Sequence, residues 1–251
     1  MNYLGIIPAR YASTRFPGKP LIIIDGKTMI QRVYEQAIKA ISTVVVATDD
    51  SRIEKEVKSF GGLVVNTSSA HKSGTDRCRE AAEKILSSTG ENFDIIINIQ
   101  GDEPFFDPKL ISEVISCFTN EKTQIASLAK KILTDKDLFD QNTPKVVLKS
   151  NNEALYFSRA PIPFFMGLDK KDWLSNSTYY KHIGIYAYRI DILHSITSLG
   201  QSSLEIAESL EQNRWLENGY HIQMAITQHE SISIDTKDDL ENILHKISNK
   251  K

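Results

Sequence analysis

The sequence is poor in several features that would assign it to a common protein class. Only two of its 251 residues are cysteines, Cys78 and Cys117, and they do not form a pair with metal or redox spacing. No apolar run approaches the roughly 18 residues of a membrane span. The first residues also lack the cationic segment of a secretion signal. These absences argue against disulfide-rich, metal-finger and membrane-spanning proteins, and we expect a cytoplasmic chain.

Charge of one sign is not in excess either. Thirty Lys and Arg residues against 32 Asp and Glu residues give a formal net charge of −2. A protein that coats nucleic acid needs a broad basic face, so we expect no nucleic-acid partner. The charge balance does not exclude a local basic pocket for a small anion. The fingerprints GxGxxG, GxxxxGK[ST] and GxSxG are missing, which argues against nicotinamide dehydrogenases, Walker-loop proteins and serine hydrolases.

What the sequence does contain is an alternation of short β-branched strands and amphipathic helices. The pattern predicts strands at 3–8, 43–48, 63–66, 93–99, 124–132, 145–149, 154–158, 182–188, 222–226 and 232–235. It predicts helices at 29–41, 50–60, 75–86, 107–118, 204–216 and 237–247. This alternation indicates an α/β fold with a mostly parallel sheet and helices on both faces. We expect one domain over 1–251, with a subdomain-like antiparallel insertion at about 124–190.

The loop after the first predicted strand is the first candidate site. Arg10, Arg15 and Lys19 lie in it together with Ser13 and Thr14. A loop at the carboxyl end of a strand can turn its N–H groups inward to bind an anion. Arginine can bind two phosphate oxygens at once. The composition therefore predicts a phosphate site, with a solvated basic loop as the alternative.

Two aspartates follow predicted strands that lie far apart in the chain. Asp102 comes after the strand at 93–99, and Asp235 ends the strand at 232–235. Mg²⁺ is usually held by one or two carboxylates together with substrate phosphates. If the two strands are neighbours, the aspartates share a metal ion. The alternative is that each of them only caps the helix that follows it.

Further polar residues occupy a helix start, a strand and a charged helix. None of them is decisive alone: Ser73, Thr75, Arg77, Arg159, His182, Tyr186, Glu211 and Gln212. The helix start near Ser73 favours anions. The structural alternatives are helix capping for the first three residues, a buried histidine for His182 and a solvated helix face for Glu211.

Taken together, these segments resemble one family, the cytidylyltransferases that activate 3-deoxy-D-manno-octulosonate (Kdo). The resemblance runs from residue 7 to residue 240. Its segments are IPAR, GKPL, VATDD, SGTDR, NIQGDEP, KVVLK, ALYFSRAPIP, HIGIYAYR, the pattern LExxExLEQxR at 204–214, and IDTKDDL. The combination is specific, although no single segment is. Lys237 departs from the family pattern, which has Pro at that position.

The resemblance implies a Rossmann-like nucleotidyltransferase core with a small dimerisation element, and a cytoplasmic homodimer. It implies Mg²⁺-dependent transfer of CMP from CTP to the anomeric 2-hydroxyl of Kdo, which gives CMP-Kdo and diphosphate for lipopolysaccharide biosynthesis. The implied catalytic residues are Arg10, Lys19, Asp102 and Asp235, and the two aspartates are the implied metal ligands. The implied nucleotide-binding residues are Arg10, Ser13, Thr14, Arg15, Lys19, Ser73, Thr75, Arg77 and Gln100. The implied sugar-acid contacts are Arg159, His182, Tyr186, Glu211 and Gln212.

Other functions fit parts of the same pattern. The same reaction on sialic acid or on an 8-amino analogue of Kdo would need only a few changed pocket residues. Nucleotidyl transfer to a sugar 1-phosphate is also compatible with Arg159. A non-catalytic nucleotide sensor is less favoured, because a sensor does not need the paired carboxylates Asp102 and Asp235.

Overall fold

The computed structural model describes residues 1–12, 16–230, 232–234 and 236–248. The chain folds into two compact units, one formed by Met1–Ile111 with Ser231–Lys251 and the other by Ser112–Glu230. Four predicted site residues lie outside the described residues: Ser13, Thr14, Arg15 and Asp235.

The first unit is built on a parallel sheet. Its four strands are β1 (Tyr3–Ala9), β4 (Val44–Thr48), β5 (Leu63–Asn66) and β6 (Ile95–Asn98), and a short hairpin adds β2 (Ile23–Ile24) and β3 (Lys27–Thr28). The sheet order is β6-β1-β4-β5, with every pair parallel. All residues of β4 and β6 are buried, as expected for strands that are covered on both faces.

Helices follow the strands of this unit as the alternating pattern predicts. They are α1 (Met29–Ala37), α2 (Ser51–Ser59), α3 (Gly74–Thr89) and α10 (Lys237–Ser248), while α4 (Lys109–Ser116) leads into the second unit. Asp50 caps α2 by accepting from Arg52 N, and Asp107 accepts from Lys109 N at the start of α4. The predicted α/β fold class is therefore confirmed.

The second unit contains a mixed sheet. Its strands are β7 (Ile125–Lys131), β8 (Lys145–Leu148), β9 (Ala154–Ser158), β10 (Tyr180–Arg189) and β11 (Ile222–Thr227). The order is β11-β7-β10-β8-β9; β11 runs parallel to β7, and the other neighbours are antiparallel. The helices are α5 (Asp135–Phe139), α6 (Trp173–Asn176), α7 (Ile190–Ile196), α8 (Ser203–Glu208) and α9 (Gln212–Glu217). The five strands predicted here all form, whereas the sequence pattern missed α5, α6 and α7.

Two predicted elements are wrong. The predicted helix at 204–216 is two helices, because Ser209 takes a left-handed conformation (φ 51°) and its N–H bonds to Glu205 O, which ends α8. The predicted strand at 232–235 is not formed over its described residues 232–234. Ile234 N instead makes a single hydrogen bond of 2.9 Å to Asp102 O, which ties this segment to the loop after β6.

A hydrophobic cluster holds the loops of the first unit in place. Its buried members are Phe16, Ile24, Met29, Ile234 and Ile243. Burying one such side chain stabilises a fold by roughly 1.5–3 kcal/mol. The cluster thus anchors the segments that flank Lys19 and the segment that precedes residue 235. Within the described part of the chain, no helix combines the length and apolar character needed to cross a membrane.

Candidate active site

A cavity of about 250 Å³ opens in the first unit where β1 and β6 end. Ligands of parallel α/β sheets bind beyond the carboxyl ends of the strands, so this is the expected place for a site. The cavity is lined by the residues after β1, the start of α3 and the loop after β6: Pro8, Ala9, Arg10, Lys19, Pro20, His71, Lys72, Ser73, Gly74, Arg77, Gln100, Gly101 and Asp102.

The lining is strongly cationic around one carboxylate. Arg10, Lys19, Lys72 and Arg77 face the cavity with Asp102 as the acidic residue. Lys19 Nζ lies 2.7 Å from Asp102 Oδ2, and the side chains are 13% and 27% exposed. Such a lining suits a polyanion, and the carboxylate supplies the oxygen donor that a hard divalent cation prefers. Within the described residues, no group of three or more His, Cys, Asp or Glu side chains is arranged around a metal site.

Arg77 is the rigid cation of the cavity. It is 4% exposed, its Nη1 donates to Thr67 Oγ1 at 2.5 Å, and the same atom lies 3.4 Å from Asp49 Oδ1. A buried guanidinium needs such partners, because an uncompensated buried charge is strongly destabilising. The ion pair therefore both stabilises the unit and holds one guanidinium at the cavity wall.

Two glycines of the cavity lining, Gly74 and Gly101, lie very close to Pro8. A Cβ on Gly101 would lie 3.1 Å from Pro8 O, and a Cβ on Gly74 would lie 3.3 Å from Pro8 Cγ. The loop after β6 and the start of α3 therefore approach the end of β1 more closely than most side chains allow. Ser73 Oγ accepts from Asp76 N at 3.1 Å and caps α3, whose N-terminus carries partial positive charge toward an anion.

His71 and Lys72 line the cavity although sequence reasoning did not select them. His71 Nε2 makes a short hydrogen bond to Glu80, which also accepts from Ser68 N at 2.8 Å and pairs with Lys84 at 2.7 Å. Burial alone would raise the pKa of Glu80, but these bonds outweigh burial and lower its pKa to about 2. Glu80 is therefore the carboxylate that orients His71. The signal available in the sequence was the position of His71 and Lys72, the two residues before the SGTDR segment.

We expect Glu80→Gln to remove a pH-dependent part of the stability. The pKa of Glu80 is lower in the folded protein, about 2 against an ordinary 4.5. Its contribution is therefore present above pH 4.5 and is lost as the pH falls toward 2. That shift corresponds to about 3 kcal/mol at neutral pH. Urea unfolding of both proteins at pH 7 and pH 3.5 measures the difference, which should shrink at the lower pH.

Glu83→Gln is the matched control for that comparison. Glu83 lies on the same helix and pairs with Arg79, but the two side chains are 43% and 38% exposed. Exposed pairs of this kind contribute about 0.3–0.5 kcal/mol. An equal effect of Glu80→Gln and Glu83→Gln at neutral pH would contradict the role given to Glu80.

The second unit gathers several of the predicted sugar-acid residues. The ring of His182 lies 5.2 Å from the ring of Tyr186, and Tyr186 contacts Trp215 edge-on at 5.2 Å. Burial, and then the charge of Glu211, raise the pKa of Tyr186 well above its usual value. Gln212 is buried on α9 directly after Glu211. Among the described residues, neither Tyr186 Oη nor Gln212 Nε2 has a hydrogen-bond partner.

Arg159 is held by main-chain carbonyls. Its Nε, Nη1 and Nη2 donate to Glu208 O, Gln141 O and Ser209 O at 2.7, 3.0 and 3.4 Å. The Glu208 carboxylate accepts from Arg159 N and Ser158 Oγ. Burial alone would raise the pKa of Glu208, but these bonds lower it. Glu208, which the sequence did not single out, thus connects the end of β9 to α8.

The predicted nucleotide residues are only partly brought together. Five of them line the first unit's cavity: Arg10, Lys19, Ser73, Arg77 and Gln100. The predicted metal ligand Asp102 lines it with them. Thr75 is buried on α3 and is not part of that lining. In the second unit, His182, Tyr186 and Glu211 interact, and Arg159 binds the turn that precedes Glu211.

Comparisons with known proteins agree with one another. A family model described as Cytidylyltransferase matches residues 4–232. A 3-deoxy-manno-octulosonate cytidylyltransferase of Parabacteroides distasonis is 57% identical, covering 100% of both chains. One from Thermodesulfovibrio yellowstonii is 50% identical over 96% of each chain. A solved structure of CMP:2-keto-3-deoxy-manno-octonic acid synthetase complexed with CTP is 38% identical, covers 100% of both chains and has a TM-score of 0.90. The chain therefore belongs to the cytidylyltransferase family, among the 3-deoxy-manno-octulosonate cytidylyltransferases, and is a nucleotidyltransferase with their α/β fold.

Proposed function

We propose that this enzyme transfers CMP from CTP to the anomeric 2-hydroxyl of Kdo, releasing diphosphate and forming CMP-Kdo for lipopolysaccharide biosynthesis. The observation that carries the proposal is the cavity of the first unit, which is lined by four cationic side chains, one carboxylate and the N-terminus of α3. This is the chemistry that a nucleoside triphosphate requires. The names of the full-length relatives support cytosine as the base and Kdo as the acceptor.

The proposed reaction needs positioning and charge neutralisation more than covalent chemistry. The 2-hydroxyl attacks the α-phosphorus of CTP, and diphosphate leaves. Arg10 and Lys19 would bind the phosphates, while Arg77 and Gln100 would hold the nucleoside. These side chains stabilise the charge that develops on the phosphoryl oxygens. Ser13, Thr14 and Arg15 remain predicted nucleotide-binding residues that shape the loop after β1.

The proposal includes Mg²⁺ as a cofactor. The Asp102 carboxylate fits the ion, because it is a partly exposed oxygen donor in a lining that otherwise favours phosphates. Asp235 is the proposed second ligand. The hydrogen bond from Ile234 N to Asp102 O supports that choice, since it brings the preceding residue to the same loop. When bound, Mg²⁺ would neutralise phosphate charge and orient the leaving diphosphate.

The acid sugar is proposed to bind in the second unit. The partnerless Tyr186 hydroxyl and Gln212 amide are buried polar groups, which a polyhydroxylated ligand would satisfy. Arg159 has five N–H donors, of which main-chain carbonyls take three. The other two can bind the sugar carboxylate. Glu211 and His182 complete the proposed acceptor site.

We also propose a cytoplasmic homodimer. The cytoplasm supplies CTP, and the resemblance to the Kdo-activating family supports the dimer. Phe164 and Met166, which are 69% and 84% exposed, offer apolar surface for a second copy. Light scattering should give about twice the single-chain mass of 28.3 kDa, and a mass of one chain would reject the dimer.

Diphosphate release is the test of the activity. Purified protein with Mg²⁺ is assayed with CTP, UTP, ATP and GTP, each against Kdo, its 8-amino analogue, sialic acid and no acceptor. Release with CTP and Kdo alone is the expected result. Release with CTP and another acid sugar would change the acceptor. Binding of CTP without release under any pairing would favour a nucleotide sensor.

Lys19→Ala is expected to raise KM for CTP about tenfold or more and to leave KM for the acid sugar almost unchanged. The substitution removes a charge-assisted hydrogen bond to phosphate, which is worth roughly 1.5–3 kcal/mol. Lys27→Ala is the matched control, because Lys27 pairs with Glu35 at the surface and does not line the cavity. Unchanged CTP kinetics in Lys19→Ala would refute the phosphate role.

A further inference from the structure

We propose that Ser127 is a positioning residue for the acid-sugar site, where its hydroxyl fixes His182 as the neutral tautomer protonated on Nε2. The other ring nitrogen, Nδ1, then presents a lone pair to a hydroxyl group of the sugar. The identity of the ligand rests on the proposed function. The assignment of the tautomer rests on the geometry around Ser127 and on the surroundings of the ring.

The geometry begins with an irregularity in β10. Ile183 pairs with Leu128 of β7, but the next residue of β7, Ser127, pairs with Tyr186. The intervening residues of β10 form a bulge, and bulges leave backbone groups without partners in the ladder. Ser127 is fully buried at this point, and its Oγ lies 2.8 Å from Ile185 O. A second carbonyl, Ile183 O, lies 3.3 Å from the same oxygen.

Counting protons decides which atom donates. Ser127 Oγ also lies 2.9 Å from His182 Nε2, and a serine hydroxyl carries a single proton. A carbonyl oxygen can only accept, so the hydroxyl proton points to Ile185 O. The remaining contact then requires His182 Nε2 to be the donor. If His182 were protonated on Nδ1 instead, the hydroxyl proton of Ser127 would have to point to Nε2. A lone pair of Ser127 Oγ would then face Ile185 O at 2.8 Å, and a buried carbonyl without a donor is destabilising.

The surroundings keep the ring neutral. Phe157 contacts it edge-on at 5.1 Å and Tyr186 lies 5.2 Å away on a tilted plane. Burial lowers the pKa of His182 to about 3, so the ring carries no charge near neutral pH. No described residue bonds to Nδ1. With Nε2 committed to Ser127, Nδ1 is the one remaining polar atom of the ring, and it is an acceptor.

This arrangement separates two kinds of recognition in the second unit. Arg159 offers donors to a carboxylate, whereas His182 offers an acceptor to a hydroxyl. A protonated or flipped imidazole would offer a donor instead and would lose the hydroxyl contact. Ser127 therefore acts through His182 and does not itself need to touch the ligand.

Nitrogen NMR of ¹⁵N-histidine-labelled protein tests the tautomer directly. Six histidines are present, and the His182 signals are assigned by their loss in His182→Asn. We expect a pyrrole-type Nε2 and a pyridine-type Nδ1 whose shifts do not change between about pH 5 and pH 8. A pyridine-type Nε2, or titration within that range, would overturn the proposal. The tautomer is read from the spectrum of the unaltered chain, and His182→Asn serves only to assign the signals.

Kinetics of Ser127 variants test the consequence. Ser127→Ala should give mixed or reversed tautomers and raise KM for Kdo up to about tenfold, with KM for CTP unchanged. Ser127→Thr keeps the hydroxyl and should restore both readouts. Thr227→Val is the control, because it removes another fully buried hydroxyl from the same sheet, one that bonds to His229 N. An unchanged tautomer and unchanged Kdo kinetics in Ser127→Ala would refute the role.

The proposed function and the role of Ser127 can be refuted independently of each other. If the unaltered protein does not release diphosphate from CTP with Kdo, the proposed function fails, while the NMR spectrum still decides the tautomer. If turnover is normal and Nε2 is not protonated, only the role of Ser127 fails.

Discussion

Asp102→Asn is expected to lower kcat for diphosphate release by about a hundred- to a thousandfold while the protein remains folded. The substitution keeps the shape and removes the negative charge that pairs with Lys19 at 2.7 Å. Losing one preorganised electrostatic group at a reacting centre typically costs about this much. The carboxylate is 27% exposed, so its loss should change stability by no more than about 1 kcal/mol. Steady-state kinetics at saturating Mg²⁺ and thermal melting measure the two effects.

Glu103→Gln is the control for Asp102→Asn. Glu103 is the next residue in the same loop, but it is not among the residues that line the cavity. It should keep near-normal turnover. Asp235→Asn extends the test to the second proposed ligand. Near-normal kcat of Asp102→Asn at saturating Mg²⁺ would remove Asp102 from the metal site.

Arg77→Met is expected to affect both stability and nucleotide use. The guanidinium is 4% exposed and is bound by Thr67 and Asp49. Its removal leaves the partly buried Asp49 carboxylate without that cation, which should reduce the free energy of unfolding by about 2–4 kcal/mol. KM for CTP should rise about tenfold or more, because the rigid cation of the cavity is lost. Denaturant unfolding and CTP titration measure these quantities.

The double variant Arg77→Met with Asp49→Asn separates the two roles. Neutralising Asp49 removes the stranded charge, so part of the lost stability should return. The affinity for CTP should not return, since no cation has been restored to the cavity wall. Recovery of CTP binding in the double variant would mean that Arg77 serves only to stabilise the unit.

Some elements of the fold could be predicted from the sequence because short stretches of residues determine them. The β-branched run at 44–48 predicts the strand β4. The capping residues Asp50 and Asp107 predict the starts of α2 and α4. The break in the predicted helix at Ser209 could not be predicted, because the helical spacing of apolar residues in 204–216 continues through that position. The left-handed backbone of Ser209 divides α8 from α9.

Part of the candidate site could likewise be predicted from the sequence, and part of it could not. Arg10, Lys19 and Asp102 sit in loops whose composition indicates phosphate and metal chemistry, and they do line one cavity. His71 was not selected from the sequence, yet it lines that cavity and is oriented there by Glu80. Ser127 lies in an apolar strand, and its relation to His182 depends on a bulge in another strand. When two residues meet across a sheet, the spacing of residues along the sequence does not reveal their contact.

The close approach of Gly74 and Gly101 to Pro8 has an entropic consequence for binding. Glycine and proline have almost no side-chain rotamers to freeze when a ligand arrives, so this part of the cavity lining has little ordering cost. The long, exposed side chain of Arg10 in the same lining carries more of that cost, whereas Lys19 is already held by Asp102. Selection by shape and attraction by charge are thus assigned to different residues of the lining: the glycines and Pro8 select by fit, and the cations select by charge.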